Sequence, residues 1–437
     1  MTEKLHSWGR HPNAPQTAQP CTWRADVPVC LKRLVELHGN TLPFGNGRSY
    51  GDSCLAASDH VLNLRTLDRF MATDWQRGVI TAEAGVTLAE ILTLAIPRGW
   101  FLAITPGTQF VTLGGAIAND VHGKNHHVRG TFGTHVLRLG LQRHNEPPMC
   151  CSSQENATLF NATIGGLGLT GVITWAEIQL MPIRSSQIDT SVVRFESLAE
   201  FFILSDELDH QHEYSVAWID CLARGKRTGR GVFMLGDHAP YGSLKIDERR
   251  KLSVPLTPPL SLINHLSLRA FNEIYWRIHP RALGRQRISY EPFFYPLDRI
   301  LHWNRIYGRK GFQQYQCVIP EAVAQPALHE LLNSIASSGQ GSFLAVLKRC
   351  GNIASPGLLS FPLAGSSLAL DFPQKAELGS LFARLDAIVH EAGGRLYPAK
   401  DAHMAAEDFR RAYPAWEKLE TLRDPAMNSR FWTRVTA

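Results

Sequence analysis

Long hydrophobic runs are scarce in this sequence. The most apolar stretch, 86–104, is broken by Glu90, Pro97 and Arg98. It reads as a helix followed by a strand, which excludes a membrane span there. Residues 1–20 are polar and lack the apolar core of a signal peptide. The cysteines, at 21, 30, 54, 150, 151, 221, 317 and 350, contain no CxxC spacing. That excludes a zinc ribbon and a thioredoxin-type motif. Cys150-Cys151 is a vicinal pair, read as two reduced thiols, and a reducing cytoplasmic setting is expected. Charge of one sign is also lacking. Lys+Arg 45 against Asp+Glu 39 leaves +6 over 437 residues. This does not call for nucleic acid, and it suits an anionic ligand or membrane surface. With 44% hydrophobic and 19% charged residues, a disordered, collagen-like or coiled-coil chain is excluded. The length exceeds one ordinary core, so two domains are expected. No internal sequence repeat and no low-complexity tract is found.

Apolar residues at helical spacing (Val27, Cys30, Leu31, Leu34, Val35, Leu37) predict a helix over 27–38. Short strands are predicted at 61–64 and 79–86. Thr87 with Glu90 has capping-box spacing and predicts a helix through 96. The segment 172–180 alternates like a strand and ends at Met181-Pro182. From about 184 the texture changes. Strands at 214–221, 313–320, 342–348 and 366–372, with helices at 322–337 and 375–392, suggest one antiparallel sheet covered by helices. The fold class is α+β. Arg224, Lys226, Arg227 and Arg230 form a basic loop, expected to be solvated.

Three glycine-rich segments stand in the first part of the chain. Gly45 to Asp52 can form a nest of backbone N–H groups for a phosphate or pyrophosphate, because glycine reaches positive φ freely. Pro106-Gly107-Thr108 with Thr112 to Asn119 lets a flat ligand lie against the backbone. Gly165 to Gly171 is the third. One such loop is an ordinary turn; several in one span point to a ligand. Gly166, Gly168 and Gly171 formally make a GxGxxG, but a strand pattern follows, not a helix, and no acidic residue sits in a βαβ context. A Rossmann site is therefore rejected. Gly123-Lys124-Asn125 lacks the upstream glycine and the Ser/Thr of a P-loop. His122, His126, His127 and His135 cluster without a cysteine or paired glutamate, so no metal is expected. His122 and Lys124 are expected to face a ligand and the others to be structural.

GNGRSYGD, PGT, TLGGAIAND and GGLGLTGVIT together resemble the FAD-binding domain of the vanillyl-alcohol oxidase/para-cresol methylhydroxylase (PCMH-type) flavoprotein superfamily. HGKNHH, AWID, PLD, GFQQYQCVIP, SFPLAG, LDFP and GRLYPAKD are similar to a branch that oxidises a polyprenyl-phosphoryl ribose, the flavin half of a two-enzyme epimerase. The resemblance covers nearly the whole chain, from Trp8-Gly9-Arg10 onward. It implies a two-part FAD-binding domain at 1–185, an antiparallel-sheet substrate domain covered by helices at 186–394, and a C-terminal segment at 395–437 that returns to the FAD domain. FAD would be held by Gly45, Asn46, Gly47, Arg48, Ser49, Tyr50 and Gly51, by Gly107, Thr112, Gly114, Gly115, Asn119 and His122, by Ile173 and by Tyr397. Lys124, Trp218, Gln314, Gln316 and Lys348 would bind substrate. Lys400 and Tyr50 would stand beside the reacting hydroxyl.

Two departures matter. Many superfamily members bind FAD covalently through a histidine in the first glycine loop; Arg48-Ser49 stands here, so non-covalent FAD is expected. The branch carries a cysteine just before its LDFP-like segment, where this chain has Ala369. A thiol supplies neither acid nor base for the oxidation, so activity is expected to survive its absence.

The implied reaction converts the C2 hydroxyl to a 2-keto sugar by hydride transfer to flavin N5. A short-chain NAD(P)H-dependent reductase would complete the epimerisation, serving arabinose supply to a cell-envelope glycan. An aldonolactone or alditol oxidase acting on a soluble sugar remains the alternative, and a non-catalytic flavoprotein scaffold a third. A desolvated lysine loses basicity and can accept the hydroxyl proton. Gln314 and Gln316 flank Tyr315 and so share one strand face. In 255–287, arginines 269, 277, 281, 285 and 287 interleave with leucines and aromatics. This segment reads either as a lid touching the inner membrane face peripherally or as a packed helix with a solvated basic face.

Overall fold

Pro28 in the first turn and Gly39 beyond the last, at φ 79°, delimit helix Val27–His38 where the apolar spacing placed it. The computed structural model describes residues 4–246 and 251–437. The helix buries Val27, Leu31 and Leu34 with Leu62 and Leu64. It covers a four-stranded sheet ordered Lys4–Leu5, Gln16–Pro20, His60–Asn63, Leu42–Phe44. The last three run parallel, and Leu42–Phe44 opens directly into the first glycine loop.

A second, antiparallel sheet is ordered Phe70–Asp74, Val79–Glu83, Val172–Pro182, Val136–Gln142, Met149–Ser152. Trp100–Leu102 pairs with the end of its long central strand. Helix Leu88–Ala95 starts at the expected capping box, in which Thr87 accepts from the Glu90 N–H and Glu90 reaches back. Its Leu88, Ile91, Leu92 and Ala95 are buried against this sheet. These two sheets make up the first part of the chain, which the resemblance expects to be a two-part FAD-binding domain.

The third sheet has eight antiparallel strands. Their order is Gly284–Ser289, Gln187–Phe195, Gly231–His238, Tyr214–Ile219, Ala345–Cys350, Gly365–Pro373, Phe312–Pro320, Arg395–Leu396. The chain builds it by repetition: Gln187–Phe195, helix Leu198–Leu208, Tyr214–Ile219, Gly231–His238; then Phe312–Pro320, helix Ala324–Ser338, Ala345–Cys350, Gly365–Pro373. The two strand–helix–strand–strand units meet at the short pairing Ala217↔Leu347 and Trp218↔Val346. A repeat therefore exists in topology where the sequence shows none, because alternation and turn spacing suffice to build each unit. Along Phe312–Pro320, Tyr315, Cys317 and Ile319 pack into the helix-side core with Leu328, Leu331 and Leu385. Gln314 and Gln316 consequently face the other way, as period-two alternation requires.

The basic loop is only partly solvated. Arg224, Lys226 and Arg227 are exposed, but Arg230 is buried, donating to Asp220 at 2.8 Å and Glu273 at 2.6 Å. Segment 255–287 contains helix His265–Ile278 and leads into the edge strand Gly284–Ser289. C-terminal helices pack back onto the first part of the chain, with Arg434 pairing Asp52 at 2.8 Å and Arg430 pairing Asp59 at 2.8 Å. All eight cysteines, the vicinal pair included, are free thiols. Among the described residues, no helix is long and apolar enough to cross a membrane.

Candidate functional site

The three glycine segments converge. A side-chain carbon at Gly45 would lie 2.3 Å from Thr112 Oγ1, and one at Gly114 would lie 2.9 Å from the Ala84 side chain, so backbones approach here as no other residue permits. Thr112 caps the helix Leu113–Ala118 by accepting from the Gly115 N–H at 3.2 Å. Between these loops and the open face of the eight-stranded sheet lies a cavity of about 420 Å³. Apart from Gly51, every residue expected to contact cofactor or substrate lines it: the loop Gly45 to Tyr50, Gly107, Thr112, Gly114, Gly115, Asn119, His122, Ile173 and Tyr397, with Lys124, Trp218, Gln314, Gln316, Lys348 and Lys400. Gly51 is the exception. Its position is a seam, where an added carbon would lie 1.6 Å from the Asp401 carbonyl oxygen.

The cradle suits a flavin. A carbon at Gly107 would meet nothing within 4 Å. Arg48 Nε, Ser53 Oγ and His122 Nδ1 are buried polar atoms without a protein partner, and all three residues line the cavity. The Arg48 guanidinium lies 4.0 Å from the Trp8 ring centre. Asn46 Nδ2 donates to the Phe110 carbonyl at 2.7 Å, joining the first two glycine segments. Asp298 also lines the wall, accepting the Gln109 N–H at 2.8 Å, and burial pushes its carboxyl up to about 6.

The C-terminal segment closes the far wall. Tyr50 N–H donates to the Ala399 carbonyl at 3.0 Å. The Tyr397 hydroxyl donates to the Asn119 carbonyl at 2.8 Å, and its ring stacks on Phe361 at 4.6 Å. His122 packs against both rings, 5.3 Å from each. Gln316 Nε2 donates to His122 Nε2 at 3.1 Å. Burial, Lys348, His126 and Lys400 hold this histidine well below its usual value. The neutral ring then carries its proton on Nδ1, the atom left without a partner.

Lys400 places its ammonium 3.7 Å from the Tyr50 ring centre. Lys348 Nζ donates to the Gly123 carbonyl at 3.2 Å, and Lys124 donates to the Phe293 carbonyl. These lysines are partly accessible because they line the cavity; protein encloses them otherwise. Burial, then repulsion from Lys348, pushes Lys124 down to about 7, and burial pushes Lys348 down to about 8. Burial also lowers Lys400 against the pull of Asp371, while it raises Asp371. The Tyr50 phenol is raised well above its usual value, chiefly by burial, and stays protonated.

Sequence reasoning missed Asp371. It is fully buried, accepts from Gln314 Nε2 at 2.6 Å, and leaves Oδ2 unpartnered. No local signal marked it, because Asp371 comes to stand opposite Gln314, as Ala369 does opposite Gln316, only in the antiparallel register of the folded sheet. Ala369 lines the cavity. Of the other histidines, His127 meets the Asp209 and His212 carbonyls at 3.2 and 3.1 Å, and His135 the Arg129 carbonyl at 3.1 Å. Among the described residues, no group of three or more potential ligands could hold a metal ion.

The profile of a family described as the FAD binding domain matches residues 21–144. The fold and the cradle accordingly define an α+β flavoprotein of PCMH type with FAD as its cofactor. The chain is 34% identical over 444 residues to the decaprenylphosphoryl-β-D-ribose oxidase of Mycolicibacterium smegmatis, covering 97% of this chain and 95% of that protein. An uncharacterized protein of Streptomyces coelicolor is 34% identical over 353 residues, covering 77% of this chain and 95% of its own length. Bovine L-gulonolactone oxidase is 30% identical over 141 residues, only 32% of this chain and 31% of that enzyme. The chain belongs to the family of the decaprenylphosphoryl-β-D-ribose oxidases, and it is an FAD-dependent oxidoreductase.

Proposed function

We propose that this oxidoreductase converts the C2 hydroxyl of a polyprenyl-phosphoryl ribose to a 2-keto sugar. The observation that carries this is the set of lysines lining one cavity, Lys124, Lys348 and Lys400, in which Lys348 repels each of the other two. Their mutual repulsion is relieved by an anion. A sugar phosphate supplies that anion beside a ring of hydroxyls; a neutral aldonolactone does not. Non-covalent FAD, when bound, supplies the hydride acceptor. Lys400 takes the hydroxyl proton, its ammonium destabilised by enclosure. Tyr50 donates a hydrogen bond to the developing alkoxide. Gln314 and Gln316 orient the sugar from one strand, and Trp218 forms the wall beside them. Asn119, His122 and Tyr397 fix the cofactor side.

A short-chain NAD(P)H-dependent reductase would complete the epimerisation. The lipid tail needs an exit, and the surface near Trp218 and Tyr275 supports one. Leu252, Leu256, Leu260, Leu262 and Leu266 are each at least 62% exposed, and the exposed Arg269, Arg277 and Arg281 follow them along the chain. This surface suits peripheral contact with an anionic bilayer.

Anaerobic addition of prenyl-phosphoryl ribose to the yellow protein should bleach its flavin. Bleaching by a free aldonolactone or alditol, and not by the lipid-linked sugar, would overturn the assignment in favour of a soluble-substrate oxidase. A colourless protein that takes up no FAD would point to a scaffold.

A further inference from the structure

His403 follows closely on Lys400 but does not line the cavity. Its Nδ1 lies 3.2 Å from Asp401 Oδ1, and its Nε2 lies 3.3 Å from Asp386 Oδ2. A neutral imidazole has one N–H and one lone pair, so it can donate to only one of these carboxylates. The imidazolium donates its hydrogen bond to Asp386 and holds Asp401 through charge. The two carboxylates belong to different parts of the site. Asp386 lies on helix Leu378–Glu391 and accepts the Tyr315 hydroxyl at 3.0 Å. Tyr315 sits between Gln314 and Gln316, so this helix backs the strand that presents them. Asp401 directly follows Lys400. It accepts the Met404 N–H at 3.0 Å and pairs with Arg434 at 2.8 Å, and Arg434 also holds Asp52 at 2.8 Å. The His403 ring packs 4.5 Å from Phe382 of the same helix.

We infer that protonated His403 is a positioning residue that clamps the turn carrying Lys400 onto the helix behind the Gln314–Gln316 strand, and that loss of its proton loosens that turn. The inference rests on the proposed role of Lys400 only where activity is concerned. The charged and titratable groups facing the imidazole are Asp386, Asp401, Arg434, Tyr315 and His11. Burial opposes its charge, yet Asp401 and Asp386 outweigh burial and Arg434, and the net shift is upward. His11 moves the opposite way, lowered by burial and by His403. A histidine favoured in its charged form stabilises most below its ordinary value, 6.5, and that contribution fades as pH rises through the higher folded value.

Hydrogen exchange of the FAD-loaded protein tests this without substrate. Peptides covering 397–404, corrected for intrinsic exchange, should lose protection about two- to tenfold between about pH 6 and about pH 9, the worth of one net hydrogen bond. His403→Arg keeps a fixed charge and should flatten that dependence. His403→Gln should leave the segment poorly protected at both pH values, with flavin content unchanged. Flat protection in the unaltered protein, or an unchanged slope in His403→Arg, overturns the clamp; both readings survive a failure of His403→Gln to fold. If exchange follows the prediction but flavin bleaching by prenyl-phosphoryl ribose is the same in the His403 variants as in the parent at every pH, the clamp stands and the proposed role of Lys400 falls.

Discussion

The ammonium of Lys400 sits over the face of the Tyr50 ring, 3.7 Å from its centre. The two residues come from opposite ends of the chain, and backbone pairing of Tyr50 with Ala399 fixes their approach. Lysine and phenol thus share one side of the cavity, where, under the proposed function, the neutral amine accepts the sugar hydroxyl's proton and the phenol donates a hydrogen bond.

Lys400→Met keeps the stem and removes the amine. The variant should bind FAD normally and show anaerobic flavin reduction slowed by about a hundredfold or more, the usual weight of a general base. Tyr50→Phe should slow it less. Unchanged bleaching in Lys400→Met would remove the lysine from the chemistry.

Asp371 sets the poise of that lysine. Its carboxylate favours the ammonium, against burial, which disfavours it. Activity that needs neutral Lys400 rises with pH through the lysine value. Asp371→Asn takes away the favouring charge, so the rising limb of the kcat/KM profile should move to lower pH. Gln314 keeps a partner, because an asparagine oxygen still accepts its hydrogen bond. A limb that moves to higher pH would show that Asp371 acts in some other way.

Local signals carried the parts of the fold that local physics controls. Thr87 and Glu90 announced a capping box, because it acts within one turn of its own residues. The strands Gln187–Phe195, Gly231–His238 and Gly284–Ser289 went unseen. Gly284–Ser289 carries Arg285 and Arg287 and is a strand because Gln187–Phe195 holds it in register; propensity alone gives no such answer. The glycine loops of the site were legible because close backbone approach demands glycine. Asp371 was not, since its meaning depends on standing opposite Gln314, across a pairing that sequence distance hides. Arg230 looked solvated among its basic neighbours until Asp220 and Glu273 met it from other elements.

Gly51 and Gly107 should respond differently to the same substitution. In Gly51→Ala the new carbon meets the Asp401 carbonyl at 1.6 Å, and backbone cannot turn aside as a side chain can. Thermal stability should fall by about 3 kcal/mol or more, and the C-terminal segment should become the first site of proteolysis. In Gly107→Ala the carbon meets no protein atom within 4 Å. Stability of the FAD-free protein should stay within about 0.5 kcal/mol, while FAD affinity falls. Calorimetry on the stripped protein and flavin titration separate the two effects; equal destabilisation would show that Gly107 serves the protein and not the cofactor.

Arg230 anchors the helix His265–Ile278. Its guanidinium donates to Asp220 through Nε at 2.9 Å and Nη2 at 2.8 Å, and to Glu273 on helix His265–Ile278 at 2.6 Å. Asn272 of that helix donates to the same Asp220 at 2.7 Å, and Trp276 donates to the Phe195 carbonyl at 3.0 Å. With both Arg230 and Asp220 buried, removing the cation leaves a carboxylate enclosed without its charge partner. Arg230→Met should cost about 3 to 5 kcal/mol, the range for breaking one side of a buried pair. Arg230→Met with Asp220→Asn should recover much of that loss, because the stranded charge goes with it. The helix should also shift on its sheet in the single variant, and Trp276 fluorescence reports that shift. A single variant as stable as the parent would mean that water already satisfies Asp220, and that Asn272 and Trp276 hold the helix without help from the ion pair.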